Sequence, residues 1–239
     1  MTLYRSILKE IENLEKTGLT EKFIKTSATN SEFQVICQKL ESEAKSPYKI
    51  LGLGTSCITL ISENSQQVVK ICSTKIKYFK YKNTNVDTFV NHSKSLQPHA
   101  VPVNEVIHRG KSFFVYTQDV CQPITKKTGL NRGQIDDLFK IVKILFKNGL
   151  HVGQLKPKNV GLKDGRLVLF DYHSMHRLGA RIKDKADWSH SLVESIEKYA
   201  KHYGKNASIV AFIKYLQSDH SKFNIQRAIE LLEAIQINV

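Results

Sequence analysis

The chain has 239 residues, of which 41% are hydrophobic and 24% are charged, with a formal net charge of +14. These proportions exclude a disordered polypeptide and predict a soluble globular protein with one large domain or two small lobes. No apolar run approaches the roughly 20 residues that span a bilayer, and acids and bases mix from Arg5 onward, which is unlike a signal peptide.

The excess of basic residues favours an anionic partner. Thirty-six Lys and Arg against 22 Asp and Glu would suit nucleic acid, an anionic membrane surface or an acidic protein. The lysines are spread along the whole chain, however, so nucleic-acid binding is an alternative and not the favoured role.

The four cysteines are widely spaced and contain no C-x-x-C pair. We therefore predict four free thiols in a reducing compartment, and an intracellular protein of the cytoplasm or nucleus.

The first 47 residues predict helices. Apolar residues recur there at spacings of three and four, which makes two amphipathic faces. The first face comprises Leu3, Ile7, Leu8, Ile11 and Leu14, and the second comprises Phe33, Ile36, Cys37 and Leu40. So short a segment cannot hold its own core, so we expect it to pack on the domain that follows.

From Tyr48 onward the pattern is typical of strands. Strands are predicted over 50–61, 68–72, 100–107 and 113–116, with polar turns at 63–66 and 108–111. Together they predict a small antiparallel sheet.

After Pro123 the chain becomes helical. Asn131 is a candidate N-cap for a helix that Gly149 ends in a left-handed conformation. Further helices are predicted over 187–203 and 223–236, with a break at 204–206.

The most informative stretch runs from Asn148 to His173. It reads as a helix end, a polar loop, a tight hairpin and a buried strand ending in Asp171. Its segment QLKPKN, from Gln154 to Asn159, resembles the catalytic loop of eukaryotic-type protein kinases, written H-R-D-L-K-P-x-N, and Asp171 stands twelve residues later where that family has D-F-G.

The resemblance assigns roles to three residues of this stretch. Asn159 and Asp171 would hold Mg²⁺, because amide and carboxylate oxygens are hard ligands. Lys156 would meet the transferred phosphate.

Two upstream motifs occur in the order that kinases use. Gly52 and Gly54 would let the backbone approach nucleotide phosphates, although Cys57 stands where a third glycine is expected. Val-Val-Lys-Ile, with Lys70 as its lysine, resembles the V-A-I-K strand and implies an ATP-binding role. An ordinary hairpin bend and a solvent-facing lysine on an edge strand are the alternatives.

Other positions depart from the family pattern. Gln154 stands at the catalytic Asp position, where a neutral amide cannot accept the proton of a substrate hydroxyl, and loss of a general base costs roughly 10²–10⁴-fold in rate. The usual glutamate partner of Lys70 is missing as well: between Ile71 and Asn104 the only acid is Asp87, with Asn91 near the expected place.

The segment after Asp171 is short. Asp187 resembles the aspartate that anchors the catalytic loop from the central C-lobe helix, and only fifteen residues separate it from Asp171. No proline follows Pro157, so the A-P-E motif is absent, and most of the peptide-substrate platform with it.

The motifs cover residues 48 to about 215, and the chain resembles a compact, divergent member of the eukaryotic-type Ser/Thr protein kinase superfamily, of the viral or bacterial-effector type. The resemblance implies an α+β, two-lobed protein-kinase-like fold with a small antiparallel N-lobe sheet and a helical C-lobe with a truncated activation segment. The N-lobe would span about 48–120 and the C-lobe about 121–239, with 1–47 as a helical extension.

We expect a pseudokinase-like protein that binds ATP and Mg²⁺, is impaired in phosphoryl transfer and acts through a protein partner. Three alternatives stay open: an active atypical Ser/Thr kinase, since glutamine can orient a nucleophile; a small-molecule phosphotransferase; and a basic nucleic-acid-binding protein. A viral or effector protein of this kind would work inside the host cell.

Overall fold

The structure is a computed structural model that describes residues 48–53, 57–62, 66–73, 86–110, 113–124, 129–152, 155, 159–171, 175–177, 182–203, 206–219 and 222–236. It is an α+β chain whose named strands all pair antiparallel. Two compact units divide it: Met1–Asn91 with Pro102–Val120, and His92–Val101 with Cys121–Val239. No helix in the described ranges is long and apolar enough to cross a membrane.

A five-stranded sheet forms the first unit, in the order β1-β2-β3-β5-β4. Its strands are β1 Tyr48–Leu53, β2 Cys57–Ser62, β3 Gln67–Ser73, β4 Val103–Arg109 and β5 Phe113–Asp119. Strands β3 and β5 are rich in β-branched and aromatic residues, which pack well on a pleated surface. Every residue of 68–72 and 114–118 is buried. Because successive side chains point to opposite faces, the sheet is covered on both sides along these strands.

Helix α1, Val86–Ser95, packs on one face of this sheet. Phe89 is fully buried, and its ring lies edge-on to Phe114 and Tyr116 of β5 at centroid distances of 5.5 and 5.6 Å. Asp87 in the first turn and Lys94 in the last complement the helix dipole. The ring contacts fix which face α1 covers.

Four helices and two small sheets make up the part of the second unit that the structure describes. The helices are α2 Arg132–Lys147, α3 Ile182–Tyr199, α4 Ala207–Gln217 and α5 Ile225–Glu233, with a 3₁₀ turn at Lys201–Tyr203. One sheet has the order β6-β8-β9, from Gln122–Pro123, Val160–Lys163 and Arg166–Leu169, and the other pairs β7 Leu150–Val152 with β10 Met175–Arg177.

The ends of α2 confirm the signals in the sequence. The Asn131 side chain accepts a hydrogen bond from the Gln134 N–H, and the Gln134 side chain accepts one from the Asn131 N–H, both at 3.0 Å. This capping box satisfies two donors that the first turn would otherwise leave open. Gly149 follows the helix at φ +62°, the left-handed conformation predicted for it.

The core of the second unit lies around α2. Its apolar face buries Ile135, Leu138, Val142, Leu145 and Phe146. Phe146 meets the ring of Trp188 of α3 edge-on at 5.6 Å, and Phe223 meets Trp188 at 5.2 Å. Trp188 is 3% exposed, so its ring belongs to this core.

Two sequence expectations differ from the structure. The stretch predicted as one strand over 50–61 is the antiparallel pair β1 and β2, because the chain reverses between Leu53 and Cys57. The prediction of four free thiols is wrong, because the sulfurs of Cys57 and Cys72 form a disulfide. These cysteines are fifteen residues apart and lie directly opposite each other in the β2–β3 register, a relationship that their spacing does not reveal. The predicted helices of 1–47 lie outside the described residues.

Candidate functional site

The β8–β9 hairpin carries the site predicted at Asn159 and Asp171. Its strands pair from Val160 with Leu169 to Lys163 with Arg166. Asp164 at φ +52° and Gly165 at φ +77° form the turn, as an Asp-Gly pair does in the tight turns that suit hairpins. The hairpin places the residues just before β8 and just after β9 at the same end.

Asn159 and Asp171 meet at that open end. The Asn159 carbonyl accepts hydrogen bonds from the amides of Phe170 at 3.0 Å and Asp171 at 3.2 Å. The Asn159 side chain is buried, 5% exposed, and Asp171 is half-buried. An amide and a carboxylate side chain therefore start from neighbouring backbone positions.

Strand β9 is held along its second edge as well. Leu169 donates its amide hydrogen to the His99 carbonyl, and its own carbonyl accepts from the Val101 amide, both at 2.9 Å. A parallel bridge between Ala100 and Leu169 results. Leu169 lies two residues before Asp171, so the backbone that presents the carboxylate is fixed on both sides.

Helix α2 anchors the turn end of the hairpin. Asp137 is 5% exposed, and its carboxylate accepts hydrogen bonds from the Arg166 guanidinium at 2.7 Å and the Leu167 amide at 3.1 Å. Gln134, one turn earlier, donates from its side-chain amide to the Gly165 carbonyl at 3.2 Å. These contacts join α2 to a hairpin about thirty residues later in the chain. No pattern in the sequence predicts them. The hydrogen bond to Asp137 raises the pKa of Arg166, so the guanidinium keeps its positive charge.

His99 lies close to this anchor. Burial lowers the pKa of its imidazole, and the positive charges of Arg166, Lys140 and Lys143 lower it further, against the opposing effect of Asp137. Its Nδ1 is buried without a hydrogen-bond partner in the described part of the chain. The neutral ring is therefore the form that this environment favours.

Lys70 lies in the middle of the first unit's sheet. Strand β3 runs between β2 and β5, and Lys70 is directly opposite Thr59 on one side and Tyr116 on the other. It is 4% exposed. The alternative of a solvent-facing lysine on an edge strand is therefore wrong. Directly opposite residues share a face, so Lys70 lies on the face that α1 covers.

Gly52 belongs to β1, opposite Thr59, just after a shift in register between Ile50 and Gly52. Such a bulge bends its strand, and Leu51 within it is 57% exposed. Gly54 lies outside the described residues. Cys57, at the position of the expected third glycine, is bonded to Cys72.

Neither Asp87 nor Asn91 takes the position of the helix glutamate that would be the partner of Lys70. Asp87 forms an ion pair with Arg109 at 2.8 Å, and both side chains are about half exposed or more, at 65% and 49%. Asn91 is exposed. Both residues are on α1, and both face solvent.

The remaining predicted residues have the following places. Asp187 is in α3, next to the buried Trp188, whose ring stacks on that of His151 at 5.3 Å. Gln154 and Lys156 lie outside the described residues. Leu155 between them is 1% exposed.

The residues present fit a divalent metal ion of the magnesium type. Asn159 and Asp171 supply two hard oxygen donors from adjoining backbone positions, and Mg²⁺ usually takes few protein ligands and completes its shell with water and phosphate. Among the described residues no three His, Cys, Asp or Glu side chains gather as a metal-binding group.

Comparisons with known proteins give a distant likeness in structure alone. No protein-family model and no curated protein matches the chain. Among solved structures, the chain is similar to the Mycobacterium tuberculosis PknI kinase domain, with 13% identity, 79% of this chain and 96% of that domain covered, and a TM-score of 0.46. A likeness at this level does not carry a function.

Proposed function

We propose that this chain is a protein-kinase-like, pseudokinase-type protein that binds a nucleoside triphosphate with Mg²⁺, is impaired in phosphoryl transfer and acts through a protein partner. The observation that carries the proposal is the hydrogen bond from the Asp171 amide to the Asn159 carbonyl. It brings together the two residues that the sequence motif assigns to the metal, at the open end of a hairpin.

The burial of Lys70 supports the same function. A lysine that is 4% exposed in a central strand loses most of its hydration, which is costly unless the charge is paired or hydrogen-bonded. A nucleotide phosphate would be an anionic partner for it. In the proposed function Lys70 neutralises nucleotide phosphates, while Asn159 and Asp171 hold the metal ion. The bound metal supplies neutralisation of phosphate charge.

The impairment rests on Gln154. Its amide can orient a hydroxyl group by hydrogen bonding but cannot take up the proton. Exposed Asp87 and Asn91 also leave α1 without a kinase-like glutamate on the sheet side. The proposal therefore separates binding from transfer, and it predicts binding with slow or no turnover.

Calorimetric titration of ATP with and without Mg²⁺ tests the binding half. We expect Mg²⁺-dependent binding, which Asp171→Asn weakens by roughly 10- to 150-fold, the equivalent of losing a charged contact of about 1.5–3 kcal/mol. Asp136→Asn is the matched control, because Asp136 is a half-exposed carboxylate on α2 that pairs with Lys140. No binding by the unmodified protein would refute this half.

Phosphate transfer to a generic protein substrate tests the impairment. We expect little transfer by the unmodified chain and a gain in Gln154→Asp, which restores a carboxylate. Ready transfer by the unmodified chain, abolished by Asp171→Asn, would instead establish an active atypical kinase.

A further inference from the structure

One face of the first unit's sheet is a continuous aliphatic surface. The strand register places five side chains on the face opposite Lys70, from β2, β3 and β5. We call this the aliphatic face: Ile58, Leu60, Val69, Ile71 and Val115. These side chains are only 1–5% exposed, so the aliphatic face is fully covered.

Helix α1 does not provide this cover. Its Phe89 contacts Phe114 and Tyr116, which lie in the same rows as Cys72 and Lys70, on the other face. Among the described residues, α1 is the only helix that contributes residues to the first unit, through Val86–Asn91.

The covered area does not extend across the whole sheet. Glu105 of β4 is opposite Thr117 and therefore on the same side of the sheet as the aliphatic face, yet it is exposed. The cover thus lies over β2, β3 and β5 and does not extend to Glu105 of β4. A second copy of the chain is not needed to explain it, because the burial occurs within one chain.

We propose that the segment 1–47 is this cover, with the amphipathic helical faces predicted in it packed on the aliphatic face. The segment belongs to the first unit and leads directly into β1 at Tyr48. The other stretches of that unit outside the described residues are far shorter, the longest being the twelve residues 74–85. That stretch leads from β3 into α1, which lies on the opposite face.

The energetics favour such packing. Burying one Ile, Leu or Val side chain contributes about 1.5–3 kcal/mol, and five exposed together would make an aggregation-prone patch. The apolar spacing of Leu3, Ile7, Leu8, Ile11 and Leu14 offers a complementary stripe. The segment therefore acts as a built-in part of the first unit. This inference is independent of nucleotide binding.

Methyl-labelled NMR on the full chain tests the contact directly. We expect nuclear Overhauser effects between the methyl groups of Ile7, Leu8 or Ile11 and those of Ile58, Val69 or Ile71. Effects to the aliphatic face from Ile76 of the 74–85 stretch alone, or none from residues 1–47, would overturn the proposal.

A matched pair of substitutions tests the energetics. Leu8→Gln places an amide on the apolar stripe, whereas Lys9→Gln places the same amide beside it. We expect Leu8→Gln to lower Tm by about 4–10 °C, from the burial of one Leu in a chain of this size, and Lys9→Gln to leave Tm within about 2 °C. Equal effects of the two substitutions would contradict a buried stripe.

Discussion

The carbonyl oxygen of Asn159 accepts a hydrogen bond from the amide of Asp171 at 3.2 Å, across the open end of the β8–β9 hairpin. The chain between them forms the hairpin itself, and its turn contains Asp164 and Gly165. Asn159 belongs to the segment that resembles a kinase catalytic loop, and Asp171 stands where that family has D-F-G.

The anchor from Asp137 to the hairpin should be a large contributor to stability. Asp137→Asn keeps the size of the side chain but removes the charge that binds Arg166 and the Leu167 amide. We expect the free energy of unfolding to fall by about 1–3 kcal/mol, since hydrogen bonds to charged groups are the stronger ones. Urea denaturation measures this.

Asp136→Asn is the control for that experiment, because the Asp136 carboxylate is 41% exposed and pairs with Lys140 at the surface. We expect a change of less than about 0.5 kcal/mol there. Similar losses of unfolding free energy in both variants would show that Asp137 contributes no more to stability than an exposed carboxylate.

Gly161 should be intolerant of any side chain. A Cβ at this position would lie 2.7 Å from the Gln122 carbonyl oxygen and 3.0 Å from the Cys121 Sγ. We expect Gly161→Ala to cost about 1–3 kcal/mol, the range for overpacking, with a corresponding fall in Tm in thermal denaturation. At Gly129 an added Cβ meets nothing within 4 Å, so Gly129→Ala should be nearly neutral; a fall as large there would argue against the close approach at Gly161.

His99 should make the chain less stable in mild acid. Its folded-state pKa is lowered from 6.5 by burial and by Arg166, Lys140 and Lys143, so the unfolded chain takes up the proton first as pH falls. The stability due to neutral His99 is complete above about pH 6.5 and is lost as pH falls through the lowered value. His99→Gln should therefore lose less stability than the unmodified chain between about pH 7.5 and pH 5. Identical pH dependence in urea denaturation would contradict this assignment.

The Cys57–Cys72 disulfide should protect two thiols from alkylation. In the unfolded, unreduced protein, iodoacetamide should modify Cys121, whose thiol is outside the disulfide, but neither Cys57 nor Cys72. Reduction should expose both thiols and lower stability by about 2–4 kcal/mol in typical cases. Mass spectrometry of peptides reads out the sites, and modification of Cys57 without reduction would show that the bond is absent. A stable disulfide would also argue against the predicted reducing compartment.

Local signals predicted much of the fold. The Asn131 cap and the Gly149 helix end follow from the chemistry of single residues, and the hairpin turn follows from an Asp-Gly pair. The antiparallel sheet followed from strand-like runs separated by polar turns. The reversal between Leu53 and Cys57 entered only as the alternative of an ordinary hairpin bend at Gly52 and Gly54, because the same glycines also suit a phosphate-binding loop. Contacts between residues far apart in the sequence, such as Asp137 with Arg166 and Cys57 with Cys72, depend on packing and strand register. The spacing of these residues in the sequence does not predict them.

The same distinction between predicted and unpredicted features applies to the candidate site. The motif predicted Asn159 and Asp171 as metal ligands, which stays a prediction, and the hairpin shows that their backbones adjoin. The sequence missed the edge contact from His99 and Val101 to Leu169, since a backbone bridge carries no side-chain signature. The roles of Gln154 and Lys156 stay predictions from the motif.

A nucleotide–metal site at Asn159 and Asp171 is tested most directly by calorimetry. Mg²⁺ and ATP are titrated into the unmodified protein, Asp171→Asn and Asp136→Asn. We predict binding that requires Mg²⁺, is weakened roughly 10- to 150-fold by Asp171→Asn, and is unchanged in Asp136→Asn. Binding of equal strength in all three proteins, or no binding in the unmodified protein, would contradict a nucleotide–metal site at Asn159 and Asp171.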